Sequence, residues 1–296
     1  MHKSAITTAL ASRLVGDQFP QWADLPVTAL ALDGNDNTTY RLGEAMTIRL
    51  PSAEGYAPQV DKEHRWLPAL APHLPLPIPQ PLAKGDPAFG YPMTWSIYRW
   101  IEGEPATIER IADLGRFATD LAEFLAALYR IDPAGGPAPG AHTFFRGGSL
   151  MTYDAETRAT IAALDREVDI WAATDVWQAA LAATWTRSPV WVHGDVAAGN
   201  LLVADGRLVA VIDFGCSAVG DPACDLTIAW TFLFGESREA FRDRIRLDDA
   251  TWARSRGWAL WKALITLGPA VKTNRQEAER IRRVIDDVIA EHKRTT

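Results

Sequence analysis

The chain has only two cysteines, Cys216 and Cys224, too few for a disulfide framework and without the paired spacing of a zinc site. A reduced, cytoplasmic setting is the expectation. No apolar run is long enough to span a bilayer, and Met1 to Val15 lacks the unbroken apolar stretch of a secretion signal. A membrane partner is therefore not expected. Positive charge is not in excess either: 30 basic against 37 acidic side chains leave a net charge of −7. A nucleic-acid binder would present clustered lysine and arginine, so that class is set aside.

At 296 residues, 48% of them hydrophobic, the chain has room for one large core or two modest ones. The twelve tryptophans are expected mainly in core packing. The acid excess is uneven. Residues 1–103 carry 8 basic and 10 acidic groups, residues 104–190 carry 7 and 12, and residues 191–296 carry 15 of each. Most of the negative charge therefore sits in the middle segment.

Local patterning changes near residue 100. Before it, an N-terminal helix leads into short β-rich runs at Val27–Leu32, Thr39–Leu42, Met46–Leu50 and Thr94–Ile101. A helix is expected over Lys62–Leu70, and extended backbone through the prolines of Pro68–Pro92. After residue 103 helical periodicity dominates, with Ile108–Ile131, 153–169 and 175–186 predicted as helices and Asp175 as an N-cap. Two runs, Leu201–Val203 and Leu208–Ile212, flank Asp205-Gly206, a hairpin signal. Asp221-Pro222 starts a helix, and helices fill the remainder to about residue 292.

Three linked segments carry the chemistry. His193-Gly194-Asp195 follows the short strand Val190–His193, Asn200 comes five residues after Asp195, and Ile212-Asp213-Phe214-Gly215 closes the hairpin. A turn after a strand lets Asp195 reach an acceptor hydroxyl, while Asn200 and Asp213 offer hard oxygen ligands to Mg²⁺. With Gly220-Asp221-Pro222-Ala223-Cys224-Asp225-Leu226 behind them, these motifs resemble the aminoglycoside phosphotransferase and choline kinase-like family, relatives of the protein kinases.

That resemblance covers nearly the whole chain. It implies an α+β, bilobal protein kinase-like fold: a nucleotide-binding lobe over 1–97, a hinge at 98–103, and a mainly helical catalytic and substrate-binding lobe over 104–296. It implies ATP or GTP as co-substrate with Mg²⁺, Asp195 as the catalytic carboxylate, and Asn200 and Asp213 as metal ligands. His193 is either a general base or, as the family implies, a brace for the catalytic loop; Asp225 is implied to tie down that loop. Gly34 to Thr39, with Gly34 and Asn37, takes the place of the phosphate-covering loop. Arg99, Trp100 and Ile101 resemble the linker that meets the purine edge.

One departure stands out. Lys3, Lys62 and Lys84 are the only lysines in the first hundred residues, and none lies on the third strand. Arg49 occupies the place of the phosphate-binding lysine there, with Glu63 as its expected partner. The resemblance implies phosphoryl transfer to a hydroxyl of an aminoglycoside-like or macrolide-like antibiotic. A metabolic kinase for choline, homoserine or a sugar is the alternative, and a nucleotide-binding protein without transferase activity is the third. The absence of an Ala-Pro-Glu segment after Asp213 argues against a protein kinase. Asp154, Glu156, Asp165, Glu167, Asp169 and Asp175 are candidates to ring the acceptor cleft for a polycation. Tryptophans including Trp171, Trp177, Trp230, Trp252, Trp258 and Trp261 would instead make an apolar pocket. Asp225, Trp230, Asp169 and Trp261 are the nearest candidates for substrate contact. A monomer or a homodimer fits equally.

Overall fold

The computed structural model describes residues 5–30 and 36–295, which form an α+β fold. Helix α1 (Thr8–Gln18) starts where the Thr7 hydroxyl accepts the Leu10 amide. Strands β1 (Val27–Ala29), β2 (Asn37–Leu42), β3 (Met46–Pro51), β4 (Pro81–Gly85) and β5 (Trp95–Arg99) build one antiparallel sheet in the order β1-β2-β3-β5-β4. Side chains alternate between its faces. On β3, Met46, Ile48 and Leu50 are buried, while Thr47 and Arg49 take the other face. Register sets Arg49 opposite Thr39 on β2 and Ser96 on β5.

Helix α2 (Pro58–Leu70) begins earlier than the segment predicted from Lys62, because Pro58 presets its first turn. Pro68, expected to open the extended proline stretch, lies inside the helix instead. A 3₁₀ turn over Ala71–His73 follows, and the backbone becomes extended from Leu74. Leu14, Leu42, Ile48, Leu50, Trp95 and Ile97 bury into a core under the sheet. Leu67 and Leu70 of α2 belong instead to a second, larger core, together with Ile78 and Tyr98. Helix α2 thus packs into both halves of the molecule.

The larger half opens with β6 (Glu104–Pro105) and the helix α3 (Leu114–Leu128). The single helix expected over Ile108–Ile131 is split: a 3₁₀ turn at Ile108–Arg110 precedes α3, and Asp113 caps α3 by accepting the Arg116 amide. Phe117, Leu121, Phe124, Leu125 and Leu128 are buried along one side, each worth about 1.5–3 kcal/mol. Next come α4 (Asp154–Ala163) and α5 (Ile170–Ala182). Asp169 caps α5 by accepting the Ala172 amide; Asp175, expected as the cap, lies mid-helix and pairs with His292 at 2.9 Å. Strands β7 (Val190–Val192), β8 (Leu201–Ala204), β9 (Arg207–Val211) and β10 (Ala218–Gly220) follow. Asp205 and Gly206 take φ of 50° and 75°, the conformation of a tight two-residue hairpin turn. Asp221-Pro222 opens a 3₁₀ segment to Thr227, and the chain finishes with α6 (Ile228–Thr231), α7 (Gly235–Ile245), α8 (Asp249–Thr273) and α9 (Arg275–Thr295). No helix among the described residues is long and apolar enough to cross a membrane.

Candidate active site

After β7 the chain turns sharply through His193, Gly194 and Asp195. Gly194 has φ 85°, and a Cβ there would lie 2.4 Å from the Cys216 carbonyl oxygen, so only glycine fits. The His193 ring is fully buried, with Nε2 3.0 Å from the Ile212 carbonyl and Nδ1 3.2 Å from the Asp195 amide. Those partners assign the proton to Nε2 and leave Nδ1 as acceptor. Both ring nitrogens are occupied by backbone, so His193 is built as a brace and has no lone pair left for an acceptor hydroxyl. Asp225 completes the brace: its Oδ2 accepts the His193 amide at 2.9 Å and its Oδ1 the Gly194 amide at 2.7 Å. Burial pushes the Asp225 carboxyl up, while His193 and the two amides pull it down. Fully buried, it lies out of substrate's reach.

Asn200 is held by the same turn. Its Nδ2 donates to the Asp195 carbonyl at 2.9 Å and to Asp195 Oδ2 at 3.3 Å, which leaves its amide oxygen on the other side. The Ile212 amide donates to the Asn200 carbonyl at 2.9 Å, setting Asp213 beside it. Asp213 sits at φ 66°, a left-handed conformation costly for a residue with a Cβ.

From β3, Arg49 reaches across to two carboxylates. Its Nη2 lies 3.1 Å from Asp213 Oδ1 and its Nη1 3.5 Å from Glu63 Oε1, and Tyr98 donates its hydroxyl to Glu63 Oε2. Burial alone would lower the Arg49 pKa, but Glu63 and Asp213 outweigh it and raise it. For Asp213 burial pushes up, yet the Arg49 charge and hydrogen bond, with His193 behind, bring its carboxyl below the ordinary value. Glu63 stays raised, burial exceeding the pull of Arg49.

Of these groups, Arg49, Asp195, Asn200 and Asp213 line one cleft of about 660 Å³, together with Asn37. Arg99, Trp100 and Ile101 line the cleft as well. The amides of Arg99 and Trp100 are consumed by neighbouring backbone, donating to the Gln80 and Ala45 carbonyls at 2.9 and 2.8 Å. Of the three, only the Ile101 amide makes no such bond among the described residues. Gly34 lies outside the described residues.

The acceptor side differs from the ring of carboxylates predicted for it. Asp154 pairs with Arg158 and accepts the Trp177 indole, Glu156 accepts that of Trp261, Glu167 pairs with Arg282, and Asp165 is exposed. With Asp169 capping α5 and Asp175 on His292, five of the six are spent on helix packing. Trp230 is a core residue, its indole donating to Glu291 at 2.9 Å, and it drops out of the acceptor candidates together with Asp169. Trp177, Trp252 and Trp258 are buried, and Trp171 is exposed. Trp261 is buried too, stacked on Tyr153 with ring centres 4.1 Å apart.

The profile of the phosphotransferase enzyme family matches residues 27–258. The chain belongs to that family. An aminoglycoside 3'-phosphotransferase of Escherichia coli is 36% identical over 70 residues, a stretch covering 23% of this chain and 26% of that protein. The alignment therefore spans about a quarter of the curated relative. The fold resembles that of the GDP and kanamycin complex of APH(2")-IIia, with TM-score 0.71 and 20% identity over 95% of this chain and 98% of the other. It also resembles the apoenzyme of macrolide 2'-phosphotransferase MphH from Brachybacterium faecium, with TM-score 0.61 and 22% identity over 94% and 98% of the two chains.

Three residues near these groups carried no signal in the sequence. Lys62, one position before Glu63, donates to the Gly215 and Ser217 carbonyls at 2.5 and 3.1 Å, so α2 grips the loop after Asp213. Burial lowers its pKa to about 8, against the pull of Cys216, Glu63 and Asp213. Asp36 lines the cleft near Asp213 and Asp195, its carboxyl raised by burial and by Asp213. Arg146 lies over the rings of Trp258 and Trp261. Each is an ordinary charged residue in sequence; only tertiary placement singles it out.

Proposed function

We propose that the protein is a small-molecule kinase, transferring the γ-phosphoryl group of ATP or GTP to a hydroxyl of a small natural product. The observation that carries this is that Asp195, Asn200, Asp213 and Arg49 line one cleft. Relatives named for aminoglycosides and macrolides, some solved with GDP, ATP, kanamycin or streptomycin, support antibiotics as the acceptor class. The strand-rich part to residue 97 serves as the nucleotide lobe and residues 104–296 as the acceptor lobe. The cytoplasm, where these nucleotides are abundant, is the compartment this activity needs.

Each side chain then has a task. Asp195, steadied by the Asn200 amide, accepts a hydrogen bond from the acceptor hydroxyl and orients it; a loose transition state asks for little deprotonation before transfer. Arg49 brings positive charge to the phosphate end and keeps Asp213 ionised. The donor set suits Mg²⁺, since two hard oxygens border one cleft and one belongs to a carboxylate held ionised. Asn200 and Asp213 would hold the ion, which supplies charge neutralisation for the phosphates when bound.

The test is a panel of aminoglycosides, macrolides, choline, homoserine and sugars, scored by mass spectrometry for ATP- and GTP-dependent phosphorylation. Asp195→Ala is expected to abolish transfer and leave nucleotide affinity within about threefold, because Asp195 acts on the acceptor. Unchanged turnover in that variant removes Asp195 from the mechanism.

A further inference from the structure

One buried arginine has no counter-charge among the described residues. Arg146 lies in a loop fastened to the catalytic segment, where the Asp221 amide donates to the Gly147 carbonyl at 2.7 Å. The loop's short turn at Ala141–Thr143 packs against Phe214–Cys216. Phe144 and Phe145, just before Arg146, hold φ of 48° and 53°, a strained conformation for aromatic residues. Arg146 itself is only 9% exposed. Its guanidinium carbon sits 4.6 Å from the centre of the Trp261 ring and 5.2 Å from that of Trp258.

The other two buried arginines have acids: Arg254 lies 2.6 Å from Asp221, and Arg256 lies 3.4 Å from Glu291. Arg146 makes no ion pair, and its guanidinium no hydrogen bond, among the described residues. The nearby acids are committed elsewhere, Glu156 to the Trp261 indole at 2.8 Å and Asp221 to Arg254. Unlike Arg254 Nη1 and Arg256 Nε, the Arg146 nitrogens are not wholly buried, so the fork that lies against the tryptophan faces stays open to a ligand. Cys216 connects Arg146 to the reacting end. Burial and Asp195 push its thiol up to about 12 while Arg146 draws it down, so one side chain lies within the field of both.

We propose that Arg146, with the Tyr153–Trp261 stack beside it, is a specificity-determining subsite that takes a carboxylate of the acceptor. The preferred acceptor is then a hydroxylated carboxylic acid with a flat or apolar face, not a polycationic sugar. The guanidinium fork matches a carboxylate, the stacked rings supply apolar contact, and the fixed cation repels ammonium groups. This subsite rests on phosphoryl transfer at Asp195.

The experiment compares 4-(hydroxymethyl)benzoate, its methyl ester and kanamycin by calorimetric titration of the full chain with a non-hydrolysable ATP analogue and Mg²⁺ bound. The acid is expected to bind at least about tenfold tighter than the ester, the scale of one charge-assisted contact. Arg146→Gln is expected to shrink that preference below about threefold, and Arg146→Lys to keep most of it. Equal or undetectable binding of acid and ester, tighter binding of kanamycin, or an unchanged preference in Arg146→Gln overturns the proposal. If Arg146→Gln fails to fold, the acid–ester comparison in the wild type and in Arg146→Lys still decides. Asp195-dependent phosphorylation of the acceptor panel is measured in parallel: its absence refutes phosphoryl transfer, whereas its presence with no acid preference refutes the Arg146 subsite alone.

Discussion

Replacing Arg49 with methionine removes the cation that stands between two carboxylates, Asp213 at 3.1 Å and Glu63 at 3.5 Å. Breaking a buried pair by deleting one partner costs roughly 3–5 kcal/mol, mostly from the charge left behind. The Glu63 side chain is 4% exposed, so its half of that cost applies nearly in full; Asp213 is 32% exposed, and solvent trims the other half. A loss of about 3–4 kcal/mol follows, or about 6–12 °C in Tm for a chain of this size. The pH dependence has a definite sign. Without Arg49 both carboxyls titrate higher in the folded than in the unfolded state. The penalty is therefore greatest at pH 8 and shrinks as falling pH protonates them. Thermal melts of wild type and Arg49→Met at pH 5 and pH 8 measure it, with Arg49→Lys as control: one ammonium satisfies one carboxylate, and about half the loss should return. A Tm within about 2 °C of wild type at both pH values, or a larger drop at pH 5, refutes the bridging account.

Three further outcomes follow from the same geometry. Asp213→Ala is expected to weaken Mg²⁺-nucleotide binding by about tenfold or more, and a calorimetric titration showing no change counts against its metal role. Asp225→Asn puts an amide NH₂ against one of the backbone N–H groups it now accepts, at about 1–3 kcal/mol; turnover should fall while nucleotide affinity holds, and an equal fall in both would mean general unfolding. Lys62 is depressed to about 8 in the fold, so between that value and its ordinary pKa the unfolded chain binds the extra proton. The wild type should then gain stability as pH rises through this window, and urea titrations of Lys62→Met should lack the gain.

What the sequence made legible was local. Asp195, Asn200 and Asp213 lie within nineteen positions of one another, joined by a hairpin whose Asp205-Gly206 turn declares its own conformation, so their convergence follows from short-range rules. Arg49 and Glu63 were legible from strand and helix order. Distant pairings were not. The acidic middle segment read as a possible cleft lining because a helix-face carboxylate and a cleft carboxylate look alike until their partners are seen: Arg282 and His292 arrive from α9 for Glu167 and Asp175, and Trp177 arrives from α5 for Asp154. The cap at Asp113 was missed because apolar periodicity runs on past it, and the cap at Asp169 because that residue was read as the end of one helix with the next starting at Asp175. Lys62 and Arg146 look like solvated surface charge, and long-range packing alone buries them.

Lys62 and Arg49 together bind the strand-rich half to both flanks of Asp213, one through the carbonyls of Gly215 and Ser217, the other through the carboxylate. The wall of the cleft at Asp213 is thereby stapled from the small side. Any widening of the cleft must then be accommodated elsewhere along it, as at Gly103, whose φ of 135° already occupies backbone space that a side chain rarely tolerates. Lys62, which does not itself line the cleft, thus helps set how widely it opens.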